Sequence, residues 1–389
     1  MTPPGKNKGK GGASEPSPAA LGYRMPAEWE PHEATWLAWP HYHGDWPGKF
    51  EPIAWVYAEI IRNLAKHERV ELIVNNAAAA MQARRVLDRA DALSDNIRFH
   101  RWPTNRVWLR DSGCIFVARQ PGVARPDSRG RLSAHESLAI KFRFNAWAKY
   151  SNWRFDEKIG GLMAGVKDAT SRAKGAREMG HPHLIHPLSG GKRIVLEGGS
   201  IDVNGAGTIL TTEECLLSKV QERNPHMTRV QYEKAFADYL GAPHTIWLGR
   251  GIVGDDTHGH VDDLSRFVSK NTVITMVEPD SKDANHGPLR ANLRRLQAAR
   301  GQDGKQLTVV ELPMPQPVVF EGRRLPASYA NFYIANGVVL APVFNRPNDR
   351  IALNTLAQLF PQREIVPIYS GDFIWGLGAM HCMTQQQPE

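Results

Sequence analysis

The sequence predicts one large α/β domain. Strand pairs that meet at Asn-Gly turns alternate along it with amphipathic helices, and no repeat is visible at the residue level, so the chain reads as several hairpin-then-helix units. One hairpin joins residues 195–203 to 208–212 across Asn204-Gly205, and another joins 332–335 to 338–341 across Asn336-Gly337. Asn-Gly favours positive φ at both central positions and is the strongest short hairpin signal. The helices carry apolar stripes: Ile53, Val56, Ile60 and Leu64 after Pro52; Phe236 and Leu240 after a capping box of Thr228 and Gln231; Leu289, Leu293 and Leu296; and Ile351, Leu356 and Leu359.

Residues 1–20 are poor in large apolar side chains and rich in Gly, Pro, Ser and Lys, which predicts a disordered tail ahead of a single domain over 21–389. Residues 120–135 and 167–186 read as surface loops. At 42% apolar residues the 389-residue chain can bury a substantial core. It has no stretch of ~18 apolar residues and nothing that resembles a signal peptide, which predicts a soluble, cytoplasmic protein. Its cysteines, Cys114, Cys215 and Cys382, are odd in number and far apart, which predicts free thiols. The net charge of +8 invites a nucleic-acid reading, but the basic residues are scattered and read better as solvated faces. A salt-dependent gel shift separates the two.

Four segments interrupt strand-like runs with polar groups. In Trp108-Leu109-Arg110-Asp111-Ser112-Gly113, Asp111 is a buried carboxylate that needs a partner, and an Arg110–Asp111 ion pair is the plain structural alternative. In Leu196-Glu197-Gly198-Gly199-Ser200, Glu197 closes an apolar run; a solvated strand end is the alternative there. In the third, His258, His260 and Asp262 alternate and would share one face of a strand, about 7 Å apart. Two readings compete for them: zinc ligands, or a histidine general acid/base beside a substrate-gripping Asp262. The fourth supplies a nucleophile, Cys382, between a glycine-rich run and Gln385-Gln386-Gln387, where a structural cysteine would have apolar neighbours.

One cysteine, one histidine and several carboxylates are what attack on a guanidinium requires. That cation is planar and resonance-stabilised, so carboxylates must hold and localise its charge through forked hydrogen bonds. A thiolate can then add to the carbon, while a histidine protonates departing ammonia and later deprotonates water. No metal or cofactor is needed.

With these residues in hand, the sequence resembles the agmatine deiminase and Porphyromonas-type peptidyl-arginine deiminase family of the guanidino-group-modifying (pentein) superfamily. The resemblance runs from Arg24 to Pro388. It rests on Met25-Pro26-Ala27-Glu28-Trp29-Glu30-Pro31-His32, the segments named above, Thr211-Thr212-Glu213-Glu214-Cys215-Leu216, and Ala327-Ser328-Tyr329-Ala330-Asn331-Phe332-Tyr333. It implies a five-bladed α/β propeller of ββαβ units with the site in its channel. It also implies Cys382 as nucleophile, His260 as general acid/base, Glu197 orienting that histidine, Asp111 and Asp262 as clamps, and Trp108 as the wall along the substrate's tail.

Departures bear on the tail. Gly-Asp-Glu-Asp-Thr-Asn-Gly-His of the plant-like agmatine deiminases becomes the shorter Gly254-Asp255-Asp256-Thr257-His258-Gly259-His260, and Cys114 replaces a proline. Glu30, Glu33, Asp45, Asp255 and Asp256 flank the motifs and favour a cationic tail, hence agmatine over arginine, while Arg110 is the one arginine placed to take an α-carboxylate. Free arginine, peptidyl-arginine and amidino transfer are the alternatives within the enzyme reading. The expected partner is a small guanidino compound, with neither nucleic acid nor membrane; self-association stays open.

Overall fold

A computed structural model describes residues 16–119, 137–173, 184–225 and 227–389. Among them the larger sheets number five, all with the same plan: an antiparallel pair, a helix, and a third strand returning parallel to the second. The clearest are Asp202–Val203, Thr208–Thr212, helix Arg229–Leu240 and His244–Leu248; Ser265–Ser269, Thr272–Val277, helix His286–Ala298 and Thr308–Pro313; and Tyr333–Ala335, Val338–Val343, helix Asp349–Leu359 and Glu364–Tyr369. Ile115–Arg119, Ser137–Ile140, helix Asp156–Ala173 and Leu184–Ile185 form a fourth, with Tyr23–Arg24 added at its edge.

The fifth sheet joins distant parts of the chain. Gln385–Pro388 pairs antiparallel with His32–Ala38, which continues through helix Ile53–Leu64 to Arg69–Val74 and through helix Ala77–Arg89 to Ile97–Arg101. The glutamines that look solvent-directed in the sequence are buried: Gln387 accepts from Trp36 Nε1 at 2.9 Å and donates to Glu33 Oε2 at 2.7 Å, and Gln386 accepts from Arg110 Nη1 at 2.6 Å. A buried amide is tolerated because both of its ends are satisfied.

Middle strands such as Val338–Val343 are apolar runs covered on both faces, as a parallel pairing under a helix demands. The Thr228–Gln231 capping box is present, and its helix ends at Gly241 with φ of 63°. In helix Asp349–Leu359, Leu356 is buried and Leu359 packs on the core as expected, but Ile351 is exposed and Ala352 takes its place.

Other expectations need correction. Residues 195–203 form no continuous strand: Val195 makes an isolated bridge to Arg143, Gly198–Ser200 is a 3-10 turn, and pairing starts at Asp202. Of the two Asn-Gly turns, Asn336-Gly337 links Ala335 directly to Val338, but only the glycine takes positive φ. Asn336 instead clamps the backbone of His32 with its side chain. Asn204-Gly205 widens into a loop in which Asn204 Oδ1 accepts from the amides of Ala206 and Thr208. The loop expected from 167 is helical as far as Ala173. Residues 120–135, 174–183 and 1–15 lie outside the described residues, but Ala19–Leu21 of the expected tail forms a 3-10 turn packed on helix Arg229–Leu240. No helix among the described residues is long and apolar enough to cross a membrane.

Candidate active site

Each of the five ββαβ sheets is entered through a short polar segment, and these segments carry the site. Helical turn Leu109–Ser112 precedes Ile115–Arg119; Glu197 and turn Gly198–Ser200 precede Asp202; His260 and turn Val261–Asp263 precede Ser265; Ser328 and Asn331 precede Tyr333; turn Met380–Met383 precedes Gln385. Strand-like as these segments look in sequence, they are one-turn helical or irregular. The turn geometry lets neighbouring side chains leave in different directions, so Asp111 enters the site while Arg110 points away.

Arg110 donates to Glu28 Oε2 at 3.1 Å, to Gln386 and to the His381 carbonyl, and has no ion pair with Asp111. It is therefore not available for an α-carboxylate. Asp111 accepts from the Gly199 amide at 3.0 Å and from Trp147 Nε1 at 2.8 Å. Burial, together with Asp262 and Glu197, pushes its carboxyl up to about 6 against the opposing pull of His260. A Cβ on Gly199 would lie 2.6 Å from His260 Nδ1 and 3.0 Å from oxygens of both Asp111 and Asp262. Only glycine lets the three groups converge there.

His260 is fully buried, and neither ring nitrogen has a hydrogen-bond partner. Nδ1 lies 3.9 Å from Asp111 Oδ1 and from Asp262 Oδ1, and Nε2 lies 3.8 Å from Glu197 Oε2. Burial opposes its charge, but Asp111 and Glu197 outweigh that and hold its affinity for a proton well above the usual histidine range. Glu197 is not solvated. Arg223 Nε donates to its Oε1 at 3.1 Å, and this guanidinium with His260 overcomes burial to hold the carboxyl down at about 2. Its Oε2 is open.

Asp262 Oδ2 accepts from His381 Nδ1 at 2.7 Å, while Oδ1 is open. His381 meets Glu28 Oε2 at 2.9 Å through its other nitrogen. The ring thus bridges the two carboxylates, one at each nitrogen. Although burial raises the Asp262 carboxyl, His381 and His260 bring it below the ordinary range.

Cys382 Sγ lies 3.6 Å from Asp262 Oδ2 and accepts from Asn331 Nδ2 at 3.1 Å. Burial, and then Asp262, Asp263 and Asp111, push this thiol well above its usual range. Asn331 is the other grip on the nucleophile: its Oδ1 accepts from the amides of His381 and Cys382 at 3.0 and 3.3 Å. Gly378 keeps the approach open, since a Cβ there would meet the Trp108 ring at 2.7 Å and Cys382 Cβ at 3.0 Å.

Cys382 and Asp111 line a cavity of about 150 Å³, with Trp108 and Trp147 among its walls. Its mouth differs from the expectation. Only Asp45 and Asp256 of the five flanking carboxylates line it; Glu30 pairs with Arg24, Glu33 with Arg69, and Asp255 accepts from the amides of Thr257, Gly259 and His260. Two arginines are there too, Arg106 on Asp45 and Arg323 at 3.6 Å from Asp256.

His258 departs from the alternating arrangement. With φ of 64° it turns to Ser218 Oγ at 3.1 Å. Donor groups close enough to share an ion, among the described residues, are Glu197 with Cys215 and His260, and Asp262 with Asp263 and Cys382; neither contains His258, so the His258–His260–Asp262 zinc set is not formed. Sequence reasoning missed the roles of Glu28, Trp147, Arg223, Asn331 and His381. The available signal was position: a polar residue just before a hairpin, as for Asn331, or within a motif already quoted, as for Glu28 and His381.

A buried thiol, a buried histidine and carboxylates with open oxygens, gathered around one point, define a hydrolase of the guanidino-group-modifying class. The chain belongs to the Porphyromonas-type peptidyl-arginine deiminase family, which residues 24–388 match. It is 34% identical to an agmatine deiminase of Pseudomonas aeruginosa (strain UCBPP-PA14) over 395 aligned positions, 96% of this chain and 97% of the relative. An agmatine deiminase of Ectopseudomonas mendocina (strain ymp) is 33% identical over the same shares. Among solved structures, the agmatine deiminase of Enterococcus faecalis superposes with a TM-score of 0.82 at 27% identity, covering 97% of this chain and 99% of that one. A substrate-bound agmatine deiminase variant from C. jejuni gives 0.77 at 27%, with 94% and 96% covered.

Proposed function

We propose that the protein hydrolyses agmatine to N-carbamoylputrescine and ammonia through a covalent cysteine adduct. The observation that carries this reading is the convergence of Cys382, His260 and the open oxygens of Asp262 and Glu197 beside Asp111, around a point that only Gly199 leaves free. The relatives' names supply the substrate.

The guanidinium sits between Asp111, Asp262 and Glu197. Its charge offsets the carboxylates that keep the thiol protonated, so substrate binding itself favours the thiolate, the thiol proton passing to solvent. Sγ adds to the guanidinium carbon, and His260 gives its proton to the nitrogen that leaves as ammonia. The amidino thioether remains. His260, now neutral, takes a proton from water as the oxygen adds to the same carbon. Collapse breaks the C–S bond and releases the ureido product, and the thiol regains its proton.

Residues 21–389 are read as one catalytic domain and the five ββαβ sheets as propeller blades, because each unit's entry segment contributes to a single site. Trp108 lies along the substrate's tail, and Asp45 and Asp256 attract a terminal amine at the mouth. Screening agmatine, arginine and an arginine-containing peptide for ureido product tests the assignment. Equal or better use of either arginine substrate overturns the agmatine reading and leaves the deiminase chemistry standing.

A further inference from the structure

Beside the reacting groups lies a second buried thiol for which the proposed reaction has no use. Cys215 is the third residue of the short helix Glu213–Leu217, whose cap residue Thr212 accepts through its hydroxyl from the Cys215 amide at 3.0 Å and donates to the Gly259 carbonyl at 2.5 Å. One side chain therefore ties the Cys215 turn to the residue preceding His260. A sulfur of Cys215, a ring nitrogen of His260 and a carboxylate oxygen of Glu197 all lie within 4.8 Å of one another, and all three residues are buried. His260 Nε2 and Glu197 Oε2, 3.8 Å apart, are both without a hydrogen-bond partner. Three donors around a tetrahedral ion with bonds of ~2.0–2.3 Å stand roughly 3.3–3.7 Å apart, so a small inward movement suffices.

We propose that Glu197, Cys215 and His260 form a binding site for a thiophilic divalent cation, Zn²⁺ above all, and that its occupation switches the enzyme off. The donor set decides the ion. Thiolate, imidazole and carboxylate suit zinc, whereas Mg²⁺ and Ca²⁺ prefer oxygen alone. The outer contacts are also in place: Arg223 Nε fixes the far oxygen of Glu197, and Thr212 fixes both turns. On binding, the ion takes the Cys215 sulfur as thiolate and displaces the proton of the His260 nitrogen it occupies, both protons passing to solvent. Inhibition follows because the proton carrier is no longer free; this consequence rests on the role proposed above for His260, while the binding itself does not.

Zn²⁺ titrated into the metal-free full chain should inhibit reversibly, with chelator restoring activity. Cys215→Ala should keep turnover and raise the half-inhibiting Zn²⁺ concentration about tenfold or more; should that variant melt early, Cys215→Ser provides a weaker ligand of similar size. Co²⁺ added to Cys382→Ser should give a near-ultraviolet thiolate-to-metal absorption that vanishes when Cys215→Ala is added. That absorption needs no substrate, so it separates failure of this site from failure of the agmatine reading. Unchanged Zn²⁺ potency in Cys215→Ala, or a Co²⁺ band that survives without Cys215, would place the ion elsewhere and overturn the proposal.

Discussion

The floor of the site, around Cys382 and His260, and the mouth of the cavity both carry carboxylates, and they hold them differently. At the floor, Asp262 and Glu197 each have one oxygen tied to a fixed side chain, His381 or Arg223, and the other left open. At the mouth, Asp256 is held by Lys149, Tyr150 and Arg323, the two cations on side chains that reach solvent, while Asp45 is buried against Arg106 with Oδ2 unpartnered, and burial pushes its carboxyl up to about 7. A half-satisfied carboxylate in a dry site is a strong claim on a cationic ligand, whereas one already paired near water adds little. The floor therefore fixes the chemistry, and the mouth only biases which tail is admitted.

The largest expected effect tests the floor. Cys382→Ser and Cys382→Ala should abolish ureido formation with an unchanged melting curve, because a hydroxyl is a far weaker nucleophile at neutral pH. Chelator should leave wild-type turnover intact; activity that disappears with chelation and returns with metal would favour a zinc hydrolase instead.

Next come the clamps. Asp111→Asn and Asp262→Asn should each lose about 3 kcal/mol or more of transition-state stabilisation, on the order of a hundredfold in kcat/KM. The thiol should respond the other way. Both carboxylates raise its proton affinity, so removing either one lowers it, and alkylation of Cys382 by neutral iodoacetamide at pH 7 should become faster than in wild type. A variant that loses turnover without faster alkylation would mean that the carboxylates do not govern the thiol.

The pH profile sharpens the same contrast. Asp111, raised to about 6, is a carboxylate above that pH and neutral below it, so kcat/KM should fall as pH drops through about 6. His381→Gln removes the hydrogen-bond partner that lowers the Asp262 carboxyl, which should then rise and carry the acid limb upward, with some loss of melting temperature. An unmoved limb in a destabilised variant would reduce His381 to packing.

The smallest effect belongs to the mouth. Wild type should prefer agmatine to arginine by about tenfold to hundredfold in kcat/KM, the equivalent of ~1–3 kcal/mol for an unpaired carboxylate. Arg323→Gln removes one of the three partners of Asp256 and a partner for an α-carboxylate, so the preference should widen by roughly fivefold or less, the scale of an exposed ion pair. A larger change would show that the mouth does more than bias the tail.

Sequence reading captured the floor better than the mouth, and the reason is physical. Asp111, Glu197, His260, Asp262 and Cys382 each stand in a short run where polarity interrupts apolar neighbours, a local signal. The partners that tune them lie up to hundreds of positions away, as Glu28 does from His381, and no local pattern reports such a pairing. The mouth failed for the same reason: Glu30 and Asp45 look alike in sequence, yet one pairs with Arg24 away from the cavity and the other lines it. The hairpin-and-helix rhythm was legible from periodicity. The one-turn segments between units were not, because a strand and a short turn share the same few apolar residues.

The fifth sheet has a consequence for the order in which the protein comes into being. Gln385–Pro388 seats the nucleophile by pairing with His32–Ala38, and the Trp36–Gln387 bond spans 351 positions of chain. During synthesis the clamps and the proton carrier emerge first, and the earlier strand must wait with an open edge for its partner. A chain released between Tyr369 and Cys382 keeps four of the sheets together with Asp111, Glu197 and Asp262, yet has no seated thiol. On the proposed mechanism such a fragment holds a guanidinium and turns none over, so turnover reports the closing of the fifth sheet in a way that binding cannot.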